Sequence, residues 1–309
     1  MNLVNGKKIF EDALKNHYGV GAFNFINIET LKSILEAAEE NKSPVIVQCS
    51  TGAIKYAGAE VLAEICKLYA KNMTVPVCLN LDHGKTFEDC KNVIDAGFTN
   101  VMIDASHLPM DENIALTRKV VEYAHERGVT VEAEIGVLAG VEDEVSATED
   151  EARYTNPQQA YDFVKATNVD SLAIAIGTSH GTVKFKGEAK LRFDILEEVE
   201  KLLPNFPIVL HGASSIPQDM VKLAEEYGAK LSGSCGIPEE MLREACSHNV
   251  CKVNVDSDLR LSFTAGLRKS FAENPENVDM RKYNTVGMEL IKKVVKDKMD
   301  NVFCSSNRA

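Results

Sequence analysis

Residues 75–105 read VPVCLNLDHGKTFEDCKNVIDAGFTNVMIDA, a complete β–α–β unit. Val75–Asp82 is an apolar, β-rich run, Phe87–Ala96 carries a helical period, and Asn100–Ala105 is a second β-rich run. The alternation continues over the whole chain. Further β-rich runs occupy Val20–Asn24, Pro44–Ser50, Val129–Ile135, Ser171–Ile176, Pro207–His211 and Val250–Val255. Between them lie helical stretches such as Glu29–Lys42, Ala59–Asn72, Glu112–Arg127 and Asn156–Lys165. Leu31, Ile34, Leu35 and Ala38 recur every three or four residues, as one face of an amphipathic helix does. Val45–Val47 and Leu172–Ile176 are apolar on both faces, the mark of parallel strands covered by helices. Eight such units without a low-complexity linker predict an α/β protein, a single (β/α)8 TIM barrel over residues 1–309. The competing fold, a doubly wound sheet, lacks a Gly-x-Gly-x-x-Gly turn opening its first helix.

Three of the seven histidines precede glycine, where random placement among 19 glycines in 309 residues would give fewer than one such pair. The pairs His83-Gly84, His180-Gly181 and His211-Gly212 each stand where an apolar run stops. Glycine permits a sharp turn at a strand mouth, so the pattern reads as three imidazoles aimed at one point. Three imidazoles with an open fourth position describe a catalytic zinc centre. His17, His125 and His248 lie among charged neighbours and read as surface residues, and His107 stands near enough to Asp104 to assist it.

Composition excludes several classes. A net charge of −12, from 34 basic and 46 acidic residues, argues against nucleic acid or an anionic membrane as partner. Residues 1–7 have no signal-peptide core, and no apolar run reaches spanning length. The eight cysteines form no Cys-x-x-Cys pair, and Cys49 and Cys78 lie inside strand-like runs, which fits reduced thiols in the cytoplasm.

Catalytic groups in a (β/α)8 barrel sit at the C-terminal ends of the strands. Those ends carry Asn24, Ser50, Asp82-His83, Asp104, Glu134, His180, His211 and Asn254–Asp256. Each has a plain structural reading as a turn, cap or solvated residue, but nothing structural requires so many on one rim. The loops Gly177–Gly187, Gly212–Ser215 and Asn254–Asp258 combine small residues with Lys184 and a following helix, features that bind phosphate through backbone N–H groups. A metal triad beside phosphate loops implies a small phosphorylated substrate next to a Lewis acid.

The series LDHG (81–84), VEAEIG (131–136) with GVEDEV (140–145), GTSHGTVKFKG (177–187), LHGASSIP (210–217) and KVNVDSDLRLSF (252–263) resembles the class II, zinc-dependent ketose-bisphosphate aldolases. Within that family it is most similar to the enzymes acting on fructose 1,6-bisphosphate. The resemblance implies Zn2+ on His83, His180 and His211, with Asp82 as the acid–base group. Asp104 and Glu134 match carboxylates that can hold a second divalent metal, and the family pattern also admits an activating K+ or Na+. Glu142, in a loop over 138–154 expected to be mobile, matches the carboxylate that moves a proton at the nucleophilic carbon. One phosphate is expected against Gly181, Lys184, Gly212, Ser214 and Ser257, with Asn24 and Asn254 on the substrate. Ser50, Arg260 and Arg281 match the grip on the distal phosphate, Arg281 arriving from a neighbouring subunit of a homodimer or homotetramer. Ser257 stands where threonine is common and keeps the hydroxyl, while Val183 replaces a frequently aromatic residue.

Cleaving the C3–C4 bond of a ketose bisphosphate needs a base for the C4 hydroxyl and an electron sink at the carbonyl. Rival readings are a Schiff-base aldolase using Lys184 or Lys252, a zinc hydrolase, and an inactive sugar-phosphate-binding protein. The first leaves three strand-end histidines unexplained, the second needs no phosphate loops, and the third has no reason to keep Asp82. Tagatose 1,6-bisphosphate is the alternative substrate; tagatose-specific relatives tend to carry a small residue where Asp256 stands.

Overall fold

A computed structural model describes residues 3–138, 140–142, 145–147, 153–179, 191–231 and 233–309. Its frame is a closed barrel of eight parallel strands: β1 (Val20–Asn24), β2 (Val45–Ser50), β3 (Val77–Gly84), β4 (Asn100–Ile103), β5 (Thr130–Ile135), β6 (Ser171–Ile174), β7 (Ile208–Leu210) and β8 (Val250–Val255). Neighbours in sequence are neighbours in the sheet, and β1 closes it by pairing with β8. This is the expected (β/α)8 barrel. Four strands start later than the apolar runs do, β2, β3 and β7 because Pro44, Pro76 and Pro207 have no N–H to give the ladder. A two-stranded antiparallel hairpin, Gly140–Glu142 against Val145–Ala147, is inserted between β5 and β6. It lies in the segment 138–154 expected as a mobile loop, much of which is outside the described residues.

Side chains alternate across the pleat. Val45, Val47, Leu79, Leu81, Val101, Ile103, Val131 and Ala133 belong to the core shared with the surrounding helices. Opposite phases of the same strands face inward. Val20, Ala22, Ile46 and Cys78 pack with Ile9, Phe10 and Ala13 of the helix Gly6–Asn16, which closes the end where the strands begin. Toward the other end the inward positions become polar and stay buried: Asn24, Gln48, Asn80, Asp82, Glu132, Glu134, Lys252 and Asn254. The helices Ser257–Glu273 and Met280–Asp297 cross where two glycines meet, so closely that a Cβ on Gly266 would fall 2.6 Å from Gly287 Cα.

Candidate active site

Asp82 ends the inward row of β3, and its carboxylate is held from two sides. Asn24 Nδ2 donates to Oδ2 at 2.9 Å, and Asn254 Nδ2 donates to Oδ1 at 3.0 Å. His83 follows with a left-handed backbone (φ 53°), at a register shift between Leu81 and Gly84 in the β3–β4 ladder. The turn is therefore made by the histidine itself, in a left-handed conformation uncommon outside glycine but adopted by His more readily than by most residues. Gly84 serves another purpose: a Cβ there would meet Leu81 Cδ2 at 2.7 Å and Met102 O at 2.9 Å. At the third pair, His211-Gly212, the sequence reading holds. Gly212 takes φ 58°, and a Cβ on it would meet the Ser179 backbone at 2.7 Å. The loop leaving β7 thus packs on the residue before His180; His180 itself lies outside the described residues.

Behind each described histidine stands a carboxylate. His83 Nδ1 lies 3.0 Å from Asp104 Oδ2, and His211 Nε2 lies 2.6 Å from Glu132 Oε1. Ser106 donates through N and Oγ to the other Asp104 oxygen. Lys252 Nζ, fully buried, pairs with Glu132 at 2.8 Å. With their far nitrogens turned to carboxylates, His83 Nε2 and His211 Nδ1 face each other at 3.0 Å. Asn254 Nδ2 also lies 2.9 Å from His211 Nδ1, so the gap between the two ring nitrogens is lined by one amide donor and suits a proton or a metal ion. An imidazole with a carboxylate behind it is the usual form of a metal-ligating histidine. Asp82 Oδ1 lies 4.0 Å from His83 Nε2 and 3.9 Å from His211 Nδ1, completing one group of potential ligands. His83, Asp104 and Glu134 form another.

The electrostatics show the same want of positive charge. Burial opposes a charged His83, but the Asp104 hydrogen bond and the charges of Asp82, Asp104 and Glu134 outweigh it and push the imidazole up to about 10. Burial, reinforced by the neighbouring Asp104 carboxylate, pushes Glu134 well above the usual carboxylate range. Glu134 Oε2 and Asn254 Oδ1 are buried without a hydrogen-bond partner. Buried atoms left so are the mark of a site shaped for something else to bind. The donor set fits zinc, two described imidazoles with room for a third ligand.

Comparison with known proteins agrees with this chemistry. The family model for class II fructose-bisphosphate aldolase matches residues 4–308. The chain belongs to the class II fructose-bisphosphate aldolase family. It is 48% identical to the fructose-bisphosphate aldolase of Treponema pallidum, covering 100% of this chain and 98% of that one. It is 49% identical to the enzyme of the same name from Helicobacter pylori strain J99, over 96% and 97%. The crystal structure of the YdjI aldolase from Escherichia coli K12 superposes with a TM-score of 0.80 at 30% identity, covering 99% of both chains.

The residues expected of an aldolase site divide into four groups. Asp82, His83, Asp104, Glu134, His211, Asn24 and Asn254 converge as described. Ser50 caps the helix Thr51–Ala57, accepting from Ala53 N at 3.2 Å, and Ser214 and Ser257 are buried beside strand ends. Asp256 is buried and binds Arg260 through both carboxylate oxygens, at 2.9 Å to Nε and 2.8 Å to Nη2. Arg281 is exposed and pairs with Asp279 at 3.0 Å, on the outside of its own barrel. Gly181 and Lys184 lie outside the described residues, and Glu142 is described only as the last residue of a hairpin strand.

His17 and His107 are exposed, while His125 and His248 bind Asp170 and Glu200 away from the site; Ser106, not His107, assists Asp104. Sequence reasoning missed Glu132, and it considered Lys252 only as a Schiff-base nucleophile, not as the partner of Glu132. A signal existed for Glu132, since it lies two residues before Glu134 and shares its inward face. It also missed Asp258, which is fully buried and accepts from Ser215 N and Ile216 N at 3.2 and 2.8 Å while pairing with buried Lys298 at 2.7 Å. That clamp ties the loop after β7 to the helix after β8. It also holds Ile216 at φ 52°, which a β-branched residue avoids unless forced.

Proposed function

We propose that the chain cleaves D-fructose 1,6-bisphosphate reversibly between C3 and C4, giving dihydroxyacetone phosphate and glyceraldehyde 3-phosphate, with zinc held by His83, His180 and His211. The observation that carries this reading is the Asp82 carboxylate, held by two amides beside two imidazoles that face each other. Zinc bound there would supply Lewis acidity at the ketose carbonyl, and Asp104 and Glu134, grouped with His83, would hold a second divalent ion. Asp82 takes the proton from the C4 hydroxyl in cleavage and returns it in synthesis. Glu142, on the inserted hairpin, delivers a proton to the carbon left behind by the departing aldehyde. Backbone N–H groups at Gly181 and Gly212, with Lys184, Ser214 and Ser257, receive the near phosphate, while Asn24 and Asn254 orient the substrate beside Asp82. Ser50 and Arg260 receive the distal phosphate, and an activating K+ or Na+ belongs to the same proposal.

Against Lys252 as the nucleophile of a Schiff-base aldolase stands its buried ion pair with Glu132 at 2.8 Å, which keeps the amine protonated and engaged. Tagatose 1,6-bisphosphate is the second reading. Asp256 favours fructose because a buried carboxylate locking Arg260 fixes the position of that guanidinium relative to the distal phosphate. Arg281 stands with Val278 and Met280 in an exposed, partly apolar stretch of 89% and 65% exposure at those two residues. That supports a homodimer or homotetramer in which Arg281 reaches a neighbour's distal phosphate. Among the described residues no helix is long and apolar enough to cross a membrane. Buried free thiols in the strands favour a reducing cytoplasm, and cleavage of fructose 1,6-bisphosphate would place the chain in glycolysis and gluconeogenesis.

The test is a cleavage assay on both sugars with and without chelator. EDTA should abolish turnover, and His83→Ala, His180→Ala and His211→Ala should each lose bound zinc. Inactivation by borohydride plus substrate, with turnover surviving EDTA, would install the Schiff-base reading instead.

A further inference from the structure

Five buried polar side chains form one row around half the barrel. Asn24 pairs in register with Gln48, Gln48 with Asn80, Asn80 with Asn100, and Asn100 with Thr130, each on the adjacent strand. All five are buried. Because barrel strands are staggered, a row that follows register also climbs the barrel. It begins at Thr130, the first residue of β5, and ends at Asn24, the last residue of β1.

The row is bonded along its whole length, in one direction. Gly6 N–H donates to Thr130 Oγ1 at 2.9 Å, and the Thr130 hydroxyl donates to Asn100 Oδ1. Asn100 Nδ2 donates to Asn80 Oδ1 at 2.7 Å, and Asn80 Nδ2 to Gln48 Oε1 at 3.0 Å. Gln48 Nε2 donates to Asn24 Oδ1 at 2.7 Å, and Asn24 Nδ2 donates to Asp82 Oδ2 at 2.9 Å. The Asp82 end sets the polarity: a carboxylate oxygen accepts, so Asn24 turns its Nδ2 to Asp82 and its Oδ1 to Gln48. Every amide below it then carries its oxygen toward Gly6 and its nitrogen toward Asp82. The approach of Gly6 is itself built in, since a Cβ there would lie 3.0 Å from Thr130 Oγ1 and 3.1 Å from Asn100 Oδ1.

We infer that Gln48, Asn80, Asn100 and Thr130 are positioning residues that hold Asn24 with its N–H on Asp82, so that the closed end of the barrel orients the carboxylate at the open end. Hydrogen bonds in a head-to-tail chain polarise one another, and at low dielectric each strengthens the next. If any inner donor is lost, the amides above it are free to rotate. A rotated Asn24 would turn its oxygen to Asp82, replacing attraction with repulsion and swinging the carboxylate off its line to the substrate. Small displacements of a proton-transfer group reduce turnover without weakening substrate binding. The inference rests on Asp82 being the group that moves the C4 hydroxyl proton.

The experiment uses Asn80→Leu, which keeps shape and removes the amide, with Thr130→Val and Thr130→Ser in the full-length zinc enzyme. Asp82→Ala is run beside them to test the underlying reading. Asn80→Leu should lower kcat about ten-fold and Thr130→Val several-fold, with zinc content and KM for fructose 1,6-bisphosphate within two-fold of the parent. Thr130→Ser keeps the hydroxyl and should restore parental kcat. In the proton–nitrogen NMR spectrum, the Asn24 carboxamide signal should shift in Thr130→Val, although Thr130 makes no bond to Asn24. Should Asn80→Leu fail to fold, the Thr130 pair alone decides. An inactive Asp82→Ala with parental kcat and an unmoved Asn24 signal in Thr130→Val would overturn the relay. An active Asp82→Ala would overturn the reading beneath it.

Discussion

Replacing Lys252 by methionine should uncouple the stability of this barrel from its metal chemistry. Lys252 and Glu132 are both fully buried and their charges lie 2.8 Å apart, while Glu132 also accepts from His211 at 2.6 Å. Burial would raise the Glu132 carboxyl, yet Lys252 first and His211 second hold it at about 2 against a usual 4.5. That difference corresponds to about 3 kcal/mol in favour of the anion in the folded state. Removing one partner of a buried pair typically costs about 3–5 kcal/mol, because the other charge remains without compensation. Lys252→Met should therefore lose about 3–4 kcal/mol at pH 7 and lower the unfolding midpoint by roughly 5–10 °C. The loss should be full above pH 4.5 and shrink as pH falls toward 2, because a depressed carboxyl contributes stability only while it is ionised. Adding Glu132→Leu removes the stranded charge and should recover part of the stability. The double variant should nevertheless bind zinc about 10–100-fold more weakly, since His211 has lost the carboxylate that orients it. Urea unfolding in excess chelator measures the first effect, and competition with a chromogenic chelator the second. A Lys252→Met protein within about 1 kcal/mol of the parent at pH 7 would refute the reasoning.

Three further outcomes follow from the site. Asp82→Ala should keep zinc and bind ketose bisphosphate while cleaving ~10²–10⁴-fold more slowly, as single-turnover kinetics would show. Glu142→Ala should slow solvent-proton exchange on dihydroxyacetone phosphate more than it weakens substrate binding; parental exchange would move the role to Asp143 or Glu144. Asp256→Ala, which unlocks Arg260, should erode the preference for fructose over tagatose 1,6-bisphosphate, whereas Arg260→Ala should mainly raise KM. Equal kcat/KM for the two sugars in the parent would sink the substrate assignment and leave the aldolase reading standing.

What the sequence determined by itself is periodic and local. Phe87–Ala96 and Val250–Val255 are found where the pattern places them, because a helix or strand shows in the spacing of its own apolar residues. Asp82, His83, Asp104, Glu134 and His211 were legible for a related reason: in this fold a polar residue at a strand's end has one rim to occupy. Which residue faces which was not legible. His211 and Glu132 are 79 residues apart, and Asn254 and Asp82 are 172 apart. Their meeting is decided by the stagger with which eight strands close, a quantity that no single strand encodes. The same closure turns Thr130 and Asn100, unremarkable polar residues at strand starts, into the lower steps of a chain that reaches Asp82. It also decided that His83, rather than its glycine, would make the turn, because only the packing of Leu81, Cys90 and the Met102 carbonyl leaves no room for a Cβ at Gly84.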